Sequence, residues 1–166
     1  MYDIGSCVFH THCGVCLVKE IAPLPGDDSG VLYYVLAPYH GDDKDNIVRV
    51  PVEGSTSLRK PLDKEQALKL IEEWPDVNTE LYLVDSKKRK QSYETALRSG
   101  YVEDLAILME GAFQRKARDG HLNSMDAQFV AKAQPIVYGE LGFALGLPIQ
   151  EVPDYIRAHA RKPRKK

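Results

Sequence analysis

Short apolar runs fill the first third of the chain, and each is closed by a turn signal. Ile4–Phe9, Gly14–Ile21, Val31–Leu36 and Ile47–Val52 are rich in Val, Ile, Leu, Tyr and Cys. Pro25-Gly26-Asp27-Asp28 separates one pair, and Gly41-Asp42-Asp43 leading to Asp45-Asn46 separates another. Runs of this length between such clusters read as strands. Pro51 is expected to end or bulge its strand, because proline donates nothing to a ladder. Four or five short strands in so short a stretch predict a small antiparallel barrel of the SH3 or Tudor kind.

From Asp63 the period changes to helical. Asp63 with Gln66 has the form of a capping box, Ala67, Leu70, Ile71 and Trp74 follow at i, i+3, i+4 and i+7, and Pro75 should stop the helix. The single tryptophan, Trp74, therefore reads as core or interdomain packing. A second helix is expected after Asp85 and up to Gly100, with Tyr93, Ala96 and Leu97 inward. A third should run from Tyr101 to about Asp119 along a stripe of Val102, Leu105, Ala106, Met109, Ala112 and Phe113. Asn123 is a good N-cap for a fourth, which stops near Gly146 and contains Pro135, where a bend or break is expected at Gln134. A short fifth helix around Glu151–His159 precedes a basic tail, 161–166. The fold class is thus α+β in two domains: residues 1–58 as the barrel and residues 63–160 as an all-α bundle of about five helices, joined by Leu58–Leu62.

The 166 residues are 43% hydrophobic and 28% charged, which excludes wholesale disorder. The longest apolar run, Val31 to Tyr39, is far below the ~20 residues of a membrane span, and no secretory signal is visible at Met1-Tyr2-Asp3-Ile4-Gly5. A cytoplasmic protein without a membrane partner is expected. The net charge of −2 hides an asymmetry: residues 1–75 carry 7 basic and 12 acidic side chains, residues 76–166 carry 15 and 12. That split suggests parts with different partners, one of them polyanionic.

Cys7, His10, His12, Cys13 and Cys16 fall within ten residues and have the ligand types zinc wants. No second pair follows at finger spacing, and strand alternation would point Cys7, His10 and Cys16 in different directions. They read as small buried hydrophobes and turn residues, with a zinc-binding or redox domain as the alternative. No phosphate loop, Gly-x-Ser-x-Gly or His-Glu-x-x-His occurs; neither enzymatic activity nor a cofactor is expected.

Lys87-Lys88-Arg89-Lys90 falls in the first turn of the second predicted helix, where the dipole is positive and each cation costs about 0.3–1 kcal/mol. A local rule broken four times in succession points to a compensating gain. Cations beside helix N–H groups receive phosphate oxygens well, so a nucleic-acid backbone is the natural ligand.

Val8-Phe9-His10-Thr11-His12-Cys13-Gly14-Val15 resembles the opening strand and turn of the CarD/CdnL family of bacterial transcription regulators. Tyr33-Tyr34-Val35-Leu36, Val48-Arg49-Val50-Pro51-Val52-Glu53, Leu58-Arg59-Lys60, Leu97-Arg98-Ser99-Gly100, Lys132-Ala133-Gln134 and Gly139-Glu140-Leu141 continue the likeness in order. The first half alone also resembles the polymerase-binding module of transcription-repair coupling factor, and the helical second half favours CarD/CdnL. The resemblance implies a monomeric, non-enzymatic regulator whose Tudor-like domain adds a strand edge to the β subunit of bacterial RNA polymerase through Ile47, Val48, Arg49, Val50 and Pro51. It implies that the helical domain contacts promoter DNA without reading sequence, on backbone and minor groove at the upstream edge of the bubble, through Ser86, Lys87, Lys88, Arg89 and Lys90, Lys88 and Arg89 matching the family's basic pair. Two departures stand out. Ser86 occupies the place of the family's minor-groove tryptophan, with Tyr82 the nearest aromatic, and Leu24 stands near a second polymerase-contacting arginine of some members. If these cations neutralise roughly three or four phosphates, log K should fall with log salt at a slope of about −3, and Lys88→Ala with Arg89→Ala should flatten it by about two.

Overall fold

The computed structural model describes residues 1–40, 46–74 and 85–160. The expected turn over 41–45, the stop at Pro75, Tyr82 and the basic tail 161–166 lie outside the described residues. The fold is α+β: a curled five-stranded antiparallel half-barrel and five α-helices among the described residues. Contacts divide the chain into two compact units, Met1–Pro61 and Leu62–Lys166. Among the described residues no helix precedes Lys64 and no strand follows Arg59. No described helix is long and apolar enough to cross a membrane.

In the first unit β1 (Cys7–His10), β2 (Gly14–Ala22), β3 (Tyr33–Pro38) and β4 (Val48–Pro51) form a meander, and β5 (Leu58–Arg59) returns beside β1, giving the order β4-β3-β2-β1-β5. Alternation sends Val8, Cys16, Val18, Tyr34, Leu36 and Val50 to one core, with Tyr2, Ile21, Val48, Val52 and Leu58 packed against it. A register shift between Val18 and Glu20 in the pairing of β2 with β3 marks a bulge, which adds twist and bends the strand. β1 starts three residues later than the apolar run, because Asp3-Ile4-Gly5 turns: Ser6 N–H donates to the Asp3 carbonyl at 3.1 Å and Gly5 has φ +89°. β3 likewise starts at Tyr33, leaving Val31 and Leu32 exposed. Pro51 does end β4.

The segment expected to be a mere connector, Leu58–Leu62, begins instead as β5. Phe9 pairs with Arg59 and His10 with Leu58, and the Arg59 guanidinium sits 3.8 Å from the centre of the Phe9 ring. A two-residue strand held by one cation–π contact and its ladder has no periodicity to read. The boundary between units falls after Pro61, inside the Leu58–Leu62 segment expected to join the two parts.

His10 ends β1, buried, and its Nδ1 accepts the His12 N–H at 3.2 Å. Burial, and then the charge of His12, lower its pKa below the ordinary histidine value. The neutral ring is therefore the folded form, and the unfolded chain takes up its proton first as pH falls. Stability should drop as pH falls from about 6.5 through the lowered folded value, then level off. His10→Asn keeps an acceptor for His12 and should remove this component, as urea midpoints at pH 8 and pH 5 will read.

In the second unit the local signals set the ends. Asp63 caps α1 (Lys64–Glu72) by the reciprocal box, Gln66 N–H to Asp63 at 2.8 Å and Asp63 N–H to Gln66 at 3.0 Å. Asp85 caps α2 (Ser86–Ser99) by accepting the Lys87 N–H at 2.9 Å, and Gly100 closes it at φ +68°. Then come α3 (Val102–Asp119), α4 (Ser124–Leu145, capped by Asn123), a 3-10 turn (Ile149–Glu151) and α5 (Val152–His159). α4 is the hub, packing on α1, α2, α3 and α5. Trp74 lies just past the end of α1 rather than on its stripe, and it is half-buried. It donates Nε1–H to Glu110 at 3.3 Å and lines a cavity of about 430 Å³ with Phe113 and Tyr138.

The break expected at Gln134 does not occur. α4 runs unbroken through Pro135. Pro135 and Ala131, whose carbonyl loses its donor, are both exposed, so water can take the freed oxygen. Ala133, Ile136, Val137, Glu140 and Leu141 are buried on the other side, and that packing holds the helix together.

Candidate functional site

β4 is an edge strand, bonded only to β3 among the described residues. Its register pairs Val50 with Tyr34 and Val48 with Leu36, and Val52 N–H donates to the Leu32 carbonyl at 3.0 Å. By the two-residue alternation of an antiparallel ladder, Val48, Val50 and Val52 turn their main chain toward β3. Arg49 and Pro51 turn theirs outward. Pro51 has no N–H, so the outer edge offers the Arg49 N–H and carbonyl and the Pro51 carbonyl.

Side chains divide the five predicted polymerase-binding residues, Ile47 to Pro51, differently. Val50 is buried and Val48 half-buried in the core, whereas Ile47 (43% exposed), Arg49 and Pro51 face solvent. Tyr39, Val31 and Leu32 add exposed apolar surface at the neighbouring ends of β3. The patch is an open strand edge with one outward arginine and apolar flanks.

On α2 the five predicted DNA residues also divide. Ser86, Lys87, Lys88 and Lys90 are exposed. Lys88 borders a shallow groove between α2 and α3 with Gln91, Ser92 and Thr95, and Lys90 borders another between α2 and α4 with Glu94 and Lys132. Arg89 differs. Its side chain is 11% exposed and its Nε lies 3.3 Å from Oδ1 of Asp126, which is wholly buried in the first turn of α4.

Asp126 is the centre of a network that sequence reasoning missed. Arg115 of α3 donates Nε–H to Oδ2 at 2.8 Å and an Nη2–H to Oδ1 at 3.1 Å. Tyr93 of α2 donates its hydroxyl to Oδ1 at 2.6 Å and accepts from Arg115 Nη2 at 2.7 Å. Asn123 donates to Oδ2 at 2.8 Å while its own Oδ1 caps the Asp126 N–H. The Tyr93 ring stacks on Phe129 with centroids 3.9 Å apart. Burial pushes the Asp126 carboxyl up, but hydrogen bonds from Arg115 and Tyr93 and the charges of Arg115 and Arg89 outweigh it and hold it below the ordinary range. Burial, then the hydrogen bond to Asp126, push the Tyr93 hydroxyl well up. One signal was available: Arg89 stands four residues before Tyr93 and seven before Ala96, the buried stripe of α2.

The N-terminal thiols have a different character. Cys16 is buried, and burial followed by the charges of Cys13 and Cys7 push it up to about 12. Burial raises Cys7 and Cys13 as well. A thiol held protonated is neither a ready ligand nor a nucleophile. Among the described residues no three His, Cys, Asp or Glu side chains are placed to hold a metal ion.

No protein-family model matches this chain, and no curated protein matches it.

Proposed function

We propose that the chain is a transcription regulator of the CarD/CdnL type, non-enzymatic, monomeric and cytoplasmic. Its first unit is a Tudor-like domain that docks on the β subunit of bacterial RNA polymerase through the outer edge of β4. Its second unit is a DNA-contacting domain that lays Lys87, Lys88 and Lys90 on promoter backbone beside the bubble and stabilises the open complex. The observation that carries this reading is the β4 edge: outward main-chain groups at Arg49, an outward guanidinium and flanking apolar residues are what strand addition requires. The three exposed lysines at one helix N-terminus supply the second half. Phosphate contacts position without specifying, so DNA binding is sequence-independent and useful mainly when polymerase raises the local concentration.

Co-purification of the full chain with bacterial RNA polymerase core is the test, and absence of a complex at micromolar concentrations overturns the reading. Ser86, exposed at the first position of α2, is the place for a gain of function. Ser86→Trp should insert a wedge between base steps and lengthen open-complex lifetime on a given promoter, since unstacking favours melted DNA.

A further inference from the structure

We infer that Arg89 is a positioning residue, not a phosphate ligand: through Asp126 it fixes the rotation of α2 that presents the three lysines. The inference rests on the DNA-contacting reading above and departs from the assignment of Lys88 and Arg89 as an equivalent pair.

Successive residues of a helix are rotated by 100°. With Arg89 turned to Asp126, Lys87 lies about 160° away on the outer side, and Lys88 and Lys90 lie about 100° to either side. That matches their places, Lys88 on the groove toward α3 and Lys90 on the groove toward α4. Arg89, Tyr93 and Ala96 form the stripe that seats α2, and Arg89 is its only member in the first turn. Four cations at the positive end of the dipole would fray that turn. The charge of Asp126, 3.3 Å from the Arg89 Nε, offsets one of them and holds the turn against α4. Asp126 is itself fixed by Arg115, Tyr93 and Asn123, so the anchor is rigid. A guanidinium that is 11% exposed and directed at a buried carboxylate is poorly placed to reach a phosphate as well.

The test is fluorescence anisotropy of the full chain on a forked promoter duplex over a salt series, for wild type, Lys88→Ala, Arg89→Met and Arg89→Lys. Arg89→Met keeps the apolar stem packed and so guards against simple unfolding, which circular dichroism checks. Wild type should show a slope of log K against log salt near −2.7, about 0.9 for each lysine, and Lys88→Ala should flatten it by about 0.9. Arg89→Met should bind about five-fold more weakly at every salt with the slope unchanged, the cost being that of ordering the first turn. Arg89→Lys should not restore affinity, because a compact ammonium on a flexible stem does not reproduce the planar guanidinium packed beside the buried carboxylate. The double Lys88→Ala, Arg89→Met variant should flatten the slope by about one, not two. A slope shallower by about 0.9 in Arg89→Met, with recovery in Arg89→Lys, would make Arg89 a phosphate ligand and overturn the inference while leaving the DNA reading intact. Unchanged affinity in folded Arg89→Met would make it merely structural and overturn it too. Salt-independent or absent binding by wild type would overturn the DNA reading itself, and the inference with it.

Discussion

Asp126→Ala should destabilise the helical unit by about 3–5 kcal/mol, the cost typical of breaking a buried ion pair from one side. The reason is what the change leaves behind. Arg115 is 3% exposed and Arg89 11%, and both direct guanidinium nitrogens at the one carboxylate. Without it two cations in the bundle lose the carboxylate they share, and the Tyr93 hydroxyl loses the acceptor at 2.6 Å. Asp126→Asn keeps the shape and one acceptor oxygen and should cost less. The pH dependence has a definite sign. Because the folded carboxyl is held below its ordinary value, the unfolded chain binds the proton first as pH falls. Its contribution is therefore present above about pH 4 and is lost as pH drops through the depressed folded value. Asp126→Asn at neutral pH should reproduce the acid-weakened state and lose that acid step. Urea midpoints followed at 222 nm, at pH 7 and pH 3.5, measure both effects. A loss below about 1 kcal/mol for Asp126→Ala would place it among ordinary surface changes and show that the network does not hold the bundle.

Much of the fold was legible because its signals are local. Asp63 with Gln66, Asp85 and Asn123 each cap a helix with their own side chain, so a few neighbouring residues suffice to mark the ends. The strands were legible through alternation, with ends displaced where a turn at Asp3–Gly5 consumed apolar residues. The misses are tertiary. Continuity of α4 through Pro135 depends on which side of the helix meets water, and β5 depends on the Phe9 ring, about 50 residues earlier in β1. Asp126 is the most instructive case. An acidic residue in the first turn of a helix already has a sufficient local explanation in the dipole, which conceals that it is buried and binds two arginines. The β4 edge was legible as a strand, but which of its residues face outward follows only from the register with β3.

Arg49→Glu should weaken binding to polymerase core by about 2 kcal/mol or more, roughly 30-fold, as reversal at a hot-spot arginine can do. The fold should not feel the change. Arg49 is exposed, its main chain turns away from its register partner Val35, and its neighbours Val48 and Val50 carry the packing. Two contributions meet at this residue. Its main-chain N–H and carbonyl turn outward by the register, and any side chain other than proline preserves them; the guanidinium adds charge, and that part is what substitution removes. Arg49→Ala should therefore lose less than Arg49→Glu, and raising salt should narrow the difference between them, since an exposed charge is screened over about 10 Å at 0.1 M. Arg49→Pro removes the outward N–H as well, without breaking a bond to β3, and should lose more than Arg49→Ala. This order, alanine mildest, is peculiar to strand addition at β4: a partner that used only side chains would rank alanine and proline together. Equal affinity of wild type and folded Arg49→Glu for polymerase core, measured by biolayer interferometry at two salt concentrations, would remove β4 as the docking edge.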